Sequence, residues 1–211
     1  MNDSVDSIIE NIIPRHLGAS EINDQFNLNA DIDFHALNQA ITDPIWELLD
    51  RGGKRWRPKL FSLTVEACDG DIDRVRDFIA FPELLHTGSL IIDDIEDDSL
   101  KRRGEEFLHE KYDIDIAINA GNFLYFLPLK ILKDHKDKFS SDILLQIYSI
   151  YTEKILELHF GQGIDIQWQI RRKKSVTEDK YLSMCALKSG SLAELTAKLA
   201  AVLCDVSSKK T

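Results

Sequence analysis

Residues 83–98 read ELLHTGSLIIDDIEDD, and this stretch predicts a buried helix that ends in a cluster of acids. Apolar side chains lead up to Ile92, and five acids then occupy the six positions from Asp93 to Asp98. On a helix, Asp93 and Asp97 lie one turn apart and project from the same face. Like charges at this spacing repel each other by roughly a few tenths of a kcal/mol per pair. The acids therefore do not stabilise the helix, which indicates that they serve a ligand.

A divalent cation is the ligand that suits this acid cluster. Magnesium prefers oxygen ligands, and it typically takes one or two carboxylates together with waters and phosphates. We therefore expect a carboxylate pair one turn apart, Asp93 with Asp97 or the parallel pair Asp94 with Asp98, to bind magnesium. A solvated acidic helix end is the alternative, and the apolar run directly before the acids disfavours it. His86 lies seven residues before Asp93, about two helical turns, and shares that face of the helix.

Two basic clusters flank the acids in the sequence. Gly52-Gly53-Lys54-Arg55-Trp56-Arg57-Pro58 precedes them, and Lys101-Arg102-Arg103-Gly104 follows them. Pro58 suits the first position of a helix, where cations are unfavourable unless an anion lies between them and the free N–H groups. A solvated basic turn remains the alternative for the first cluster, and charge balance with the acids for the second. Together, metal-binding acids and flanking cations indicate a diphosphate site.

The rest of the chain predicts helices rather than strands. Apolar residues recur at helical spacing, as in Ile41, Ile45, Leu48 and Leu49, and period-two alternation is scarce. We expect helical stretches at roughly residues 41–49, 60–67, 72–97, 113–133, 140–167, 178–188 and 190–205. Ser191 and Glu194 have the spacing of a capping box at the start of the last helix. The fold class is therefore all-α, and 211 residues suggest a single domain over 1–211.

Composition excludes several classes of protein. A formal net charge of −10 argues against a nucleic-acid binder, which needs a basic face to gather phosphates. The N-terminus lacks the apolar core of a signal peptide, and the apolar runs are too short to span a bilayer. Three widely spaced cysteines indicate free thiols in a reducing compartment. We expect a cytoplasmic protein without a membrane span.

In order and spacing, these motifs resemble the trans-isoprenyl (polyprenyl) diphosphate synthases. The matching segments are 52–58, 83–97, 102–104, Gly161-Gln162-Gly163-Ile164-Asp165 and Lys188-Ser189-Gly190-Ser191-Leu192. The phrase Asp-Asp-Ile-Glu-Asp looks most like the geranylgeranyl diphosphate synthases. The resemblance spans about residues 40 to 205. It implies an isoprenoid-synthase-type helical bundle around a central apolar cavity.

The resemblance also implies a role for each site residue. The diphosphate of isopentenyl diphosphate would be bound by Lys54, Arg57, His86 and Arg103. The allylic diphosphate would be held by Arg102, Lys188 and Ser189, with Gln162 and Asp165 lining the same site. Mg²⁺ ions would be ligated by Asp93 and Asp97, and Asp94 and Lys188 would complete the catalytic set.

The implied reaction is a head-to-tail condensation of isopentenyl diphosphate with an allylic diphosphate. Gly88 and Ser89 stand one helical turn before Asp93, where the family often limits chain length with a bulky aromatic residue. Two small residues leave a channel open there, which favours geranylgeranyl diphosphate as the product. Small residues needed only for helix packing are the alternative, with Phe123 or Tyr125 as the floor of the channel.

One departure from the family pattern concerns the second aspartate-rich motif. No second Asp-Asp-x-x-Asp occurs in these 211 residues, so we expect the C-terminal third of the family's domain to be absent from them. Three interpretations stay open: a prenyltransferase, a non-catalytic prenyl-diphosphate-binding subunit of a full-length synthase, and a class I terpene cyclase. The Gly-Gly-Lys-Arg segment argues against the cyclase, which needs no isopentenyl site. The resemblance further implies a homodimer.

Overall fold

A computed structural model describes residues 4–97, 105–170 and 175–205, together with the backbone of 101–102. Eleven α-helices form most of this part of the chain: α1 Val5–Ile12, α2 Ala19–Phe26, α3 Phe34–Ala40, α4 Thr42–Asp50, α5 Trp56–Ala67, α6 Phe81–Glu96, α7 Leu108–Tyr112, α8 Ile114–Asp134, α9 Ser141–Ile170, α10 Glu178–Cys185 and α11 Ser191–Leu203. A two-residue hairpin pairs β1, Lys101–Arg102, with β2, Glu105–Glu106. The prediction of an all-α fold is confirmed. No helix in the described ranges is long and apolar enough to cross a bilayer.

The chain divides into two compact units. The first unit comprises Met1–Arg55 and Glu83–Ile131, and the second comprises Trp56–Pro82 and Leu132–Thr211. The expectation of a single domain over 1–211 stays a prediction. Each unit has its own buried apolar side chains.

In the first unit, polar side chains fix the N-terminal helices around an apolar core. The buried Asn38 amide accepts a hydrogen bond from the Leu17 N–H and donates one to the Leu17 carbonyl, at 2.7 and 2.8 Å. The Trp46 indole N–H donates to the Ile13 carbonyl at 3.2 Å. Because buried polar groups cost free energy when unpaired, these bonds fix one arrangement of the segments. The core includes Ile8, Ile9, Ile13, Leu17, Ile45, Leu48, Leu49, Leu84, Leu85, Ile91, Leu124 and Leu127.

In the second unit, α11 packs against α9 and α5. The buried apolar side chains of this unit include Phe61, Val65, Phe78, Phe81, Leu158, Leu195, Leu199 and Leu203. Phe81 meets the Tyr151 ring edge-on, with 6.1 Å between the ring centroids. Burial raises the pKa of the Tyr151 hydroxyl to about 12, so this group stays neutral within the core.

Two predicted helix boundaries differ from the structure. A single helix over 72–97 was expected, whereas a 3₁₀ turn at Arg76–Ile79 precedes α6, which begins at Phe81. Pro82 explains the break, because a proline ring would clash with the carbonyl four residues earlier if one helix ran through. α5 begins at Trp56 rather than at Pro58, so Arg57 lies inside its first turn.

The segment between α10 and α11 also differs from its prediction. The helix does not stop and restart; a π-helical turn at Ala186–Gly190, here called the π segment, joins α10 to α11. Ser191 therefore has no helix end to cap, and its buried hydroxyl has no hydrogen-bond partner within the described ranges. Glu194 is paired with Lys154 and Lys198 instead. The predicted capping box is wrong.

Candidate functional site

The acids at the end of α6 have the helical geometry that their spacing predicts. The Asp97 N–H donates to the Asp93 carbonyl at 2.9 Å, which places the two residues one turn apart. Asp93 is half-buried and Asp97 is exposed, whereas the neighbouring Asp94 is buried. The buried helix therefore presents one carboxylate pair toward solvent at its C-terminal end. Asp98 lies outside the described residues.

This pair fits a cation that brings other ligands with it. Among the described residues, no group of three or more His, Cys, Asp or Glu side chains is gathered closely enough to hold a metal ion. A protein cage of carboxylates, as calcium often has, is therefore not formed by these residues. Two carboxylates on one helix face instead match magnesium, whose remaining ligands are commonly phosphate oxygens and waters. The ligand roles of Asp93 and Asp97 stay predictions.

His86 and Ser89 lie on α6 ahead of the acids. No break in the helix separates His86 from Asp93, so the two residues share a face across two turns. His86 is half-buried, and its carbonyl accepts a hydrogen bond of 2.8 Å from the Ser89 hydroxyl. The Ser89 side chain is thus bound to its own helix.

In the first basic cluster, Lys54 and Arg55 have different surroundings. Lys54 is exposed, and its role in anion binding stays a prediction. Arg55 has a positive φ of 45°, and its guanidinium donates to Glu83, Asp6 and the Leu49 carbonyl. Because the Glu83 side chain is only 6% exposed, Arg55 neutralises a buried carboxylate and holds the loop that carries Lys54.

Arg57 belongs to the second unit and begins α5 beside Trp56. It is buried, and the carbon of its guanidinium lies 4.4 Å from the centroid of the Trp56 ring. A cation over an aromatic face at this distance is attracted by the ring quadrupole. This contact holds the guanidinium beside the Trp56 ring. The predicted contact of Arg57 with a diphosphate stays a prediction.

Two predicted site residues are paired in the second unit. The Lys188 ammonium donates to an Asp165 carboxylate oxygen at 2.7 Å, and these side chains are 24% and 21% exposed. Lys188 lies in the π segment and Asp165 lies on α9. Of the other predicted residues in this unit, Gln162 is half-buried and Ser189 is exposed.

Gly161 lies close to Lys188, a relation that sequence reasoning missed. A Cβ atom placed on Gly161 would approach the backbone of Leu187 and Lys188. A glycine inside a long helix costs about 1 kcal/mol relative to alanine. That cost could have indicated, from the sequence, that another segment packs closely at position 161. The sequence does not reveal which backbone the glycine accommodates.

The structure gives Gly88 a packing role. A Cβ on Gly88 would lie 2.9 Å from the Gly121 carbonyl oxygen and 2.9 Å from the Leu124 Cβ. Gly88 therefore allows α6 and α8 to approach closely, which is the alternative considered for it from sequence. The chain-length role of Gly88 and Ser89 stays a prediction. Two other predicted ligands cannot be placed: Arg103 lies outside the described residues, and only the backbone of Arg102 is described.

A buried cation fixes α9 to α11 in the second unit. The Lys154 ammonium lies within 2.8–2.9 Å of carboxylate oxygens of Glu153, Glu157 and Glu194. Burial by itself lowers the pKa of Lys154, but the hydrogen bonds to these three carboxylates outweigh it and raise the pKa overall. The group therefore stays charged. It fixes α11, which follows the π segment, to α9.

Comparisons with known proteins agree with this architecture. A family model described as Polyprenyl synthetase matches residues 38–211. Geranylgeranyl pyrophosphate synthase subD of Metarhizium robertsii is 36% identical over 167 residues, covering 79% of this chain and 47% of that protein. Geranylgeranyl pyrophosphate synthase paxG of Penicillium paxilli is 34% identical over 177 residues, covering 82% of this chain and 45% of that protein.

Solved structures are similar over nearly the whole chain. Geranylgeranyl pyrophosphate synthetase from Pyrococcus horikoshii superposes with a TM-score of 0.74 at 25% identity, covering 96% of this chain and 59% of that one. The enzyme from the archaeon Geoglobus acetivorans gives a TM-score of 0.73, also at 25% identity, covering 95% and 60%. The chain spans about half the length of the curated relatives it matches. On the strength of its helices, its ordered motifs and this family match, the chain belongs to the polyprenyl synthetase family.

Proposed function

We propose that this chain serves a Mg²⁺-dependent, head-to-tail condensation of isopentenyl diphosphate with an allylic diphosphate. The observation that carries the proposal is the Asp93–Asp97 pair, which lies one turn apart at the open end of a buried helix. Such a pair leaves most of a magnesium coordination shell to phosphate oxygens and waters. Membership of the polyprenyl synthetase family supports the same chemistry.

The proposed roles divide the residues between two diphosphates. Isopentenyl diphosphate is bound by Lys54, Arg57, His86 and Arg103. The allylic diphosphate is held by Arg102, Lys188 and Ser189, with Gln162 and Asp165 beside it and Asp94 next to the metal ligands. When bound, magnesium supplies positive charge where the departing diphosphate becomes negative. In this proposal, the exposed Lys54 and the Arg57 guanidinium beside Trp56 supply positive charge for the other substrate.

The reaction balances without a further reagent. The bond between the allylic carbon and the diphosphate oxygen breaks, and its electron pair leaves with the diphosphate. The double bond of isopentenyl diphosphate then supplies two electrons to the allylic cation and forms the new carbon–carbon bond. Loss of one proton, which the released diphosphate can accept, restores a double bond in the product. Apolar side chains around the cation are expected to exclude the water that would quench it.

Geranylgeranyl diphosphate is the product we propose. Its support is the resemblance of the Asp-Asp-Ile-Glu-Asp phrase and the printed names of the relatives, which are geranylgeranyl pyrophosphate synthases. Because Gly88 packs against α8, its small size has a packing reason and gives less support to an open channel for a long product. A homodimer and a cytoplasmic location complete the proposal.

The deciding experiment incubates the protein with isopentenyl diphosphate, farnesyl diphosphate and Mg²⁺, followed by mass spectrometry of the products. A C20 diphosphate is the expected result. Binding of both substrates without turnover would instead indicate a non-catalytic prenyl-diphosphate-binding subunit. A hydrocarbon product would indicate a class I terpene cyclase. Either of these two results overturns the proposed reaction.

A variant pair tests the metal ligands in the same assay. Asp93→Ala is expected to lower turnover by about three orders of magnitude or more, because a lost metal ligand leaves the developing charge unbalanced. Asp31→Ala removes the same charge from an exposed loop residue and is expected to retain the wild-type rate. Circular dichroism spectra verify that both variants fold. Turnover within tenfold of wild type for Asp93→Ala would refute the ligand assignment.

A further inference from the structure

Helix α9 and the π segment approach each other backbone to backbone at Gly161. A Cβ atom on Gly161 would lie 2.3 Å from the Lys188 nitrogen, 2.7 Å from the Lys188 Cα and 2.8 Å from the Leu187 carbonyl carbon. These three atoms are backbone, so no side-chain rotation could relieve the clash. At this separation of the two segments, only glycine fits at position 161.

The same two segments meet again at their side chains. Asp165 lies four residues after Gly161 on α9, one helical turn further along. Its carboxylate accepts the 2.7 Å hydrogen bond from the Lys188 ammonium. Helix α9 thus receives the backbone of Lys188 at Gly161 and the side chain of Lys188 at Asp165. Lys188 is held at two points by one turn of one helix.

π-helical turns inside α-helices are rare and frequently occur at functional sites. Their hydrogen bonds span five residues instead of four, which widens the helix locally. The widened turn carries Lys188, and it is this turn that lies against Gly161. A wider turn without a glycine opposite it would meet a methyl group and be pushed away from α9.

We propose that Gly161 is a positioning residue for Lys188: the absence of a side chain at 161 sets where the Lys188 ammonium is presented to an anionic ligand. The inference rests on the proposed function in naming that anion as the allylic diphosphate. The pair with Asp165 keeps the ammonium beside α9, and both side chains are partly exposed to solvent. A diphosphate can then replace the carboxylate without a rearrangement of the backbone.

Gly163 provides a matched control on the same helix. It lies two residues after Gly161 and is exposed, and apart from its own helix turn no described residue has an atom within 4 Å of a Cβ placed on it. Alanine at either position brings the same gain in intrinsic helix propensity. A difference between Gly161→Ala and Gly163→Ala therefore reports the contact with Lys188 rather than a general effect of alanine in α9.

Competitive acetylation with limiting acetic anhydride, read by peptide mass spectrometry, measures the reactivity of Lys188 without requiring any enzyme activity. Gly161→Ala is expected to raise the rate at Lys188 by about two- to fivefold, the factor that corresponds to losing an ion pair of this exposure. Asp165→Asn removes the pair without moving the backbone and sets the reference for full loss. Gly163→Ala is expected to react at the wild-type rate. Equal rates at Lys188 for the two glycine variants would refute the positioning role.

Inorganic pyrophosphate with Mg²⁺ separates this inference from the proposed function. It is expected to protect Lys188 from acetylation in the wild-type protein and in Gly163→Ala, and about tenfold more weakly in Gly161→Ala. Unprotected Lys188 in the wild-type protein would refute the diphosphate role of Lys188, while the acetylation rates would still decide the positioning role.

A measurement on the wild-type protein covers the case in which Gly161→Ala fails to fold. The close backbone approach predicts a nuclear Overhauser effect between the Gly161 Hα protons and the Lys188 amide proton. Its presence would support the contact on which positioning depends. Its absence would overturn the inference without recourse to any variant.

Discussion

Replacing Lys154 with methionine removes a buried charge from the packing of α9 against α11 while retaining an unbranched apolar chain. The Lys154 side chain is 4% exposed, and its ammonium contacts three carboxylates, those of Glu153, Glu157 and Glu194. After the substitution, three negative groups would face one another without the cation between them. We expect the variant to fold with a lower free energy of unfolding.

The size of this loss lies between two limits. Removing one partner of a fully buried ion pair costs about 3–5 kcal/mol, because the other charge stays buried. Exposed pairs contribute only about 0.2–1 kcal/mol each. Glu157 and Glu194 are 29% and 47% exposed, so both carboxylates regain water once Lys154 is gone. The expected loss at pH 7 is therefore about 2 kcal/mol, nearer the lower limit.

Urea unfolding followed by circular dichroism measures this loss, with Lys198→Met as the control. Lys198 lies on α11 and, like Lys154, bonds to Glu194. It is 43% exposed, so its replacement should cost less than about 1 kcal/mol. Hydrogen bonds from Lys198 and Lys154 hold the pKa of Glu194 below its ordinary value of 4.5.

That lowered pKa fixes the pH dependence of the comparison. A carboxyl with a lowered folded pKa contributes stability above its ordinary pKa, and this stability is lost as pH falls through the folded value. The difference between wild type and Lys154→Met should therefore shrink below about pH 4.5. Equal losses for Lys154→Met and Lys198→Met at pH 7, or a difference unchanged at pH 3, would refute the buried-cation explanation.

Three further predictions concern the first unit. Gly88→Ala should lower the melting temperature, because the new Cβ would lie 2.9 Å from the Gly121 carbonyl oxygen. Overpacking of this kind costs about 1–3 kcal/mol. A raised melting temperature would contradict the close packing of α6 on α8. Arg55→Met should destabilise the fold by about 2–4 kcal/mol in urea titrations, since it leaves Glu83 buried without its cation; a loss under 0.5 kcal/mol, about the size of an exposed pair, would count against this. Burial raises the pKa of Glu47, but hydrogen bonds from Lys111, Arg51 and Tyr112 lower it overall. The stability that Glu47 provides is therefore present above about pH 4.5 and is lost on acidification. Glu47→Gln should therefore reduce the fall in the free energy of unfolding that accompanies acidification. An unchanged fall would exclude Glu47 as its origin.

The acid end of α6 could be predicted from sequence because its geometry is local. The spacing of Asp93 and Asp97 and the helical period together determine that they share a face, and no distant residue enters that argument. The all-α class follows in the same way from apolar spacing repeated along the chain. Local patterns of this kind depend on only a few neighbouring residues.

Features that depend on distant partners could not be read from the sequence. Lys54 and Arg55 are adjacent and both cationic, yet one is exposed and the other is bound to Glu83, which is 28 residues further along the chain. No residue pattern in the sequence marks the π segment. Gly161, the glycine that it contacts, lies 27 residues before Lys188. In both cases, the partner that decides the conformation is remote in sequence.

The π segment makes the length of the chain between α10 and α11 matter as much as its residues. An α-helix turns by about 100° per residue, so one residue more or less in a helix rotates everything beyond it by that angle. Deleting a single residue from Ala186–Gly190 would let α10 and α11 merge into one regular helix. The lysine would still be present in such a chain but would leave the helix in another direction. Related chains that share the lysine but differ by one residue here are therefore expected to present it differently, which a comparison of residue identities alone would overlook.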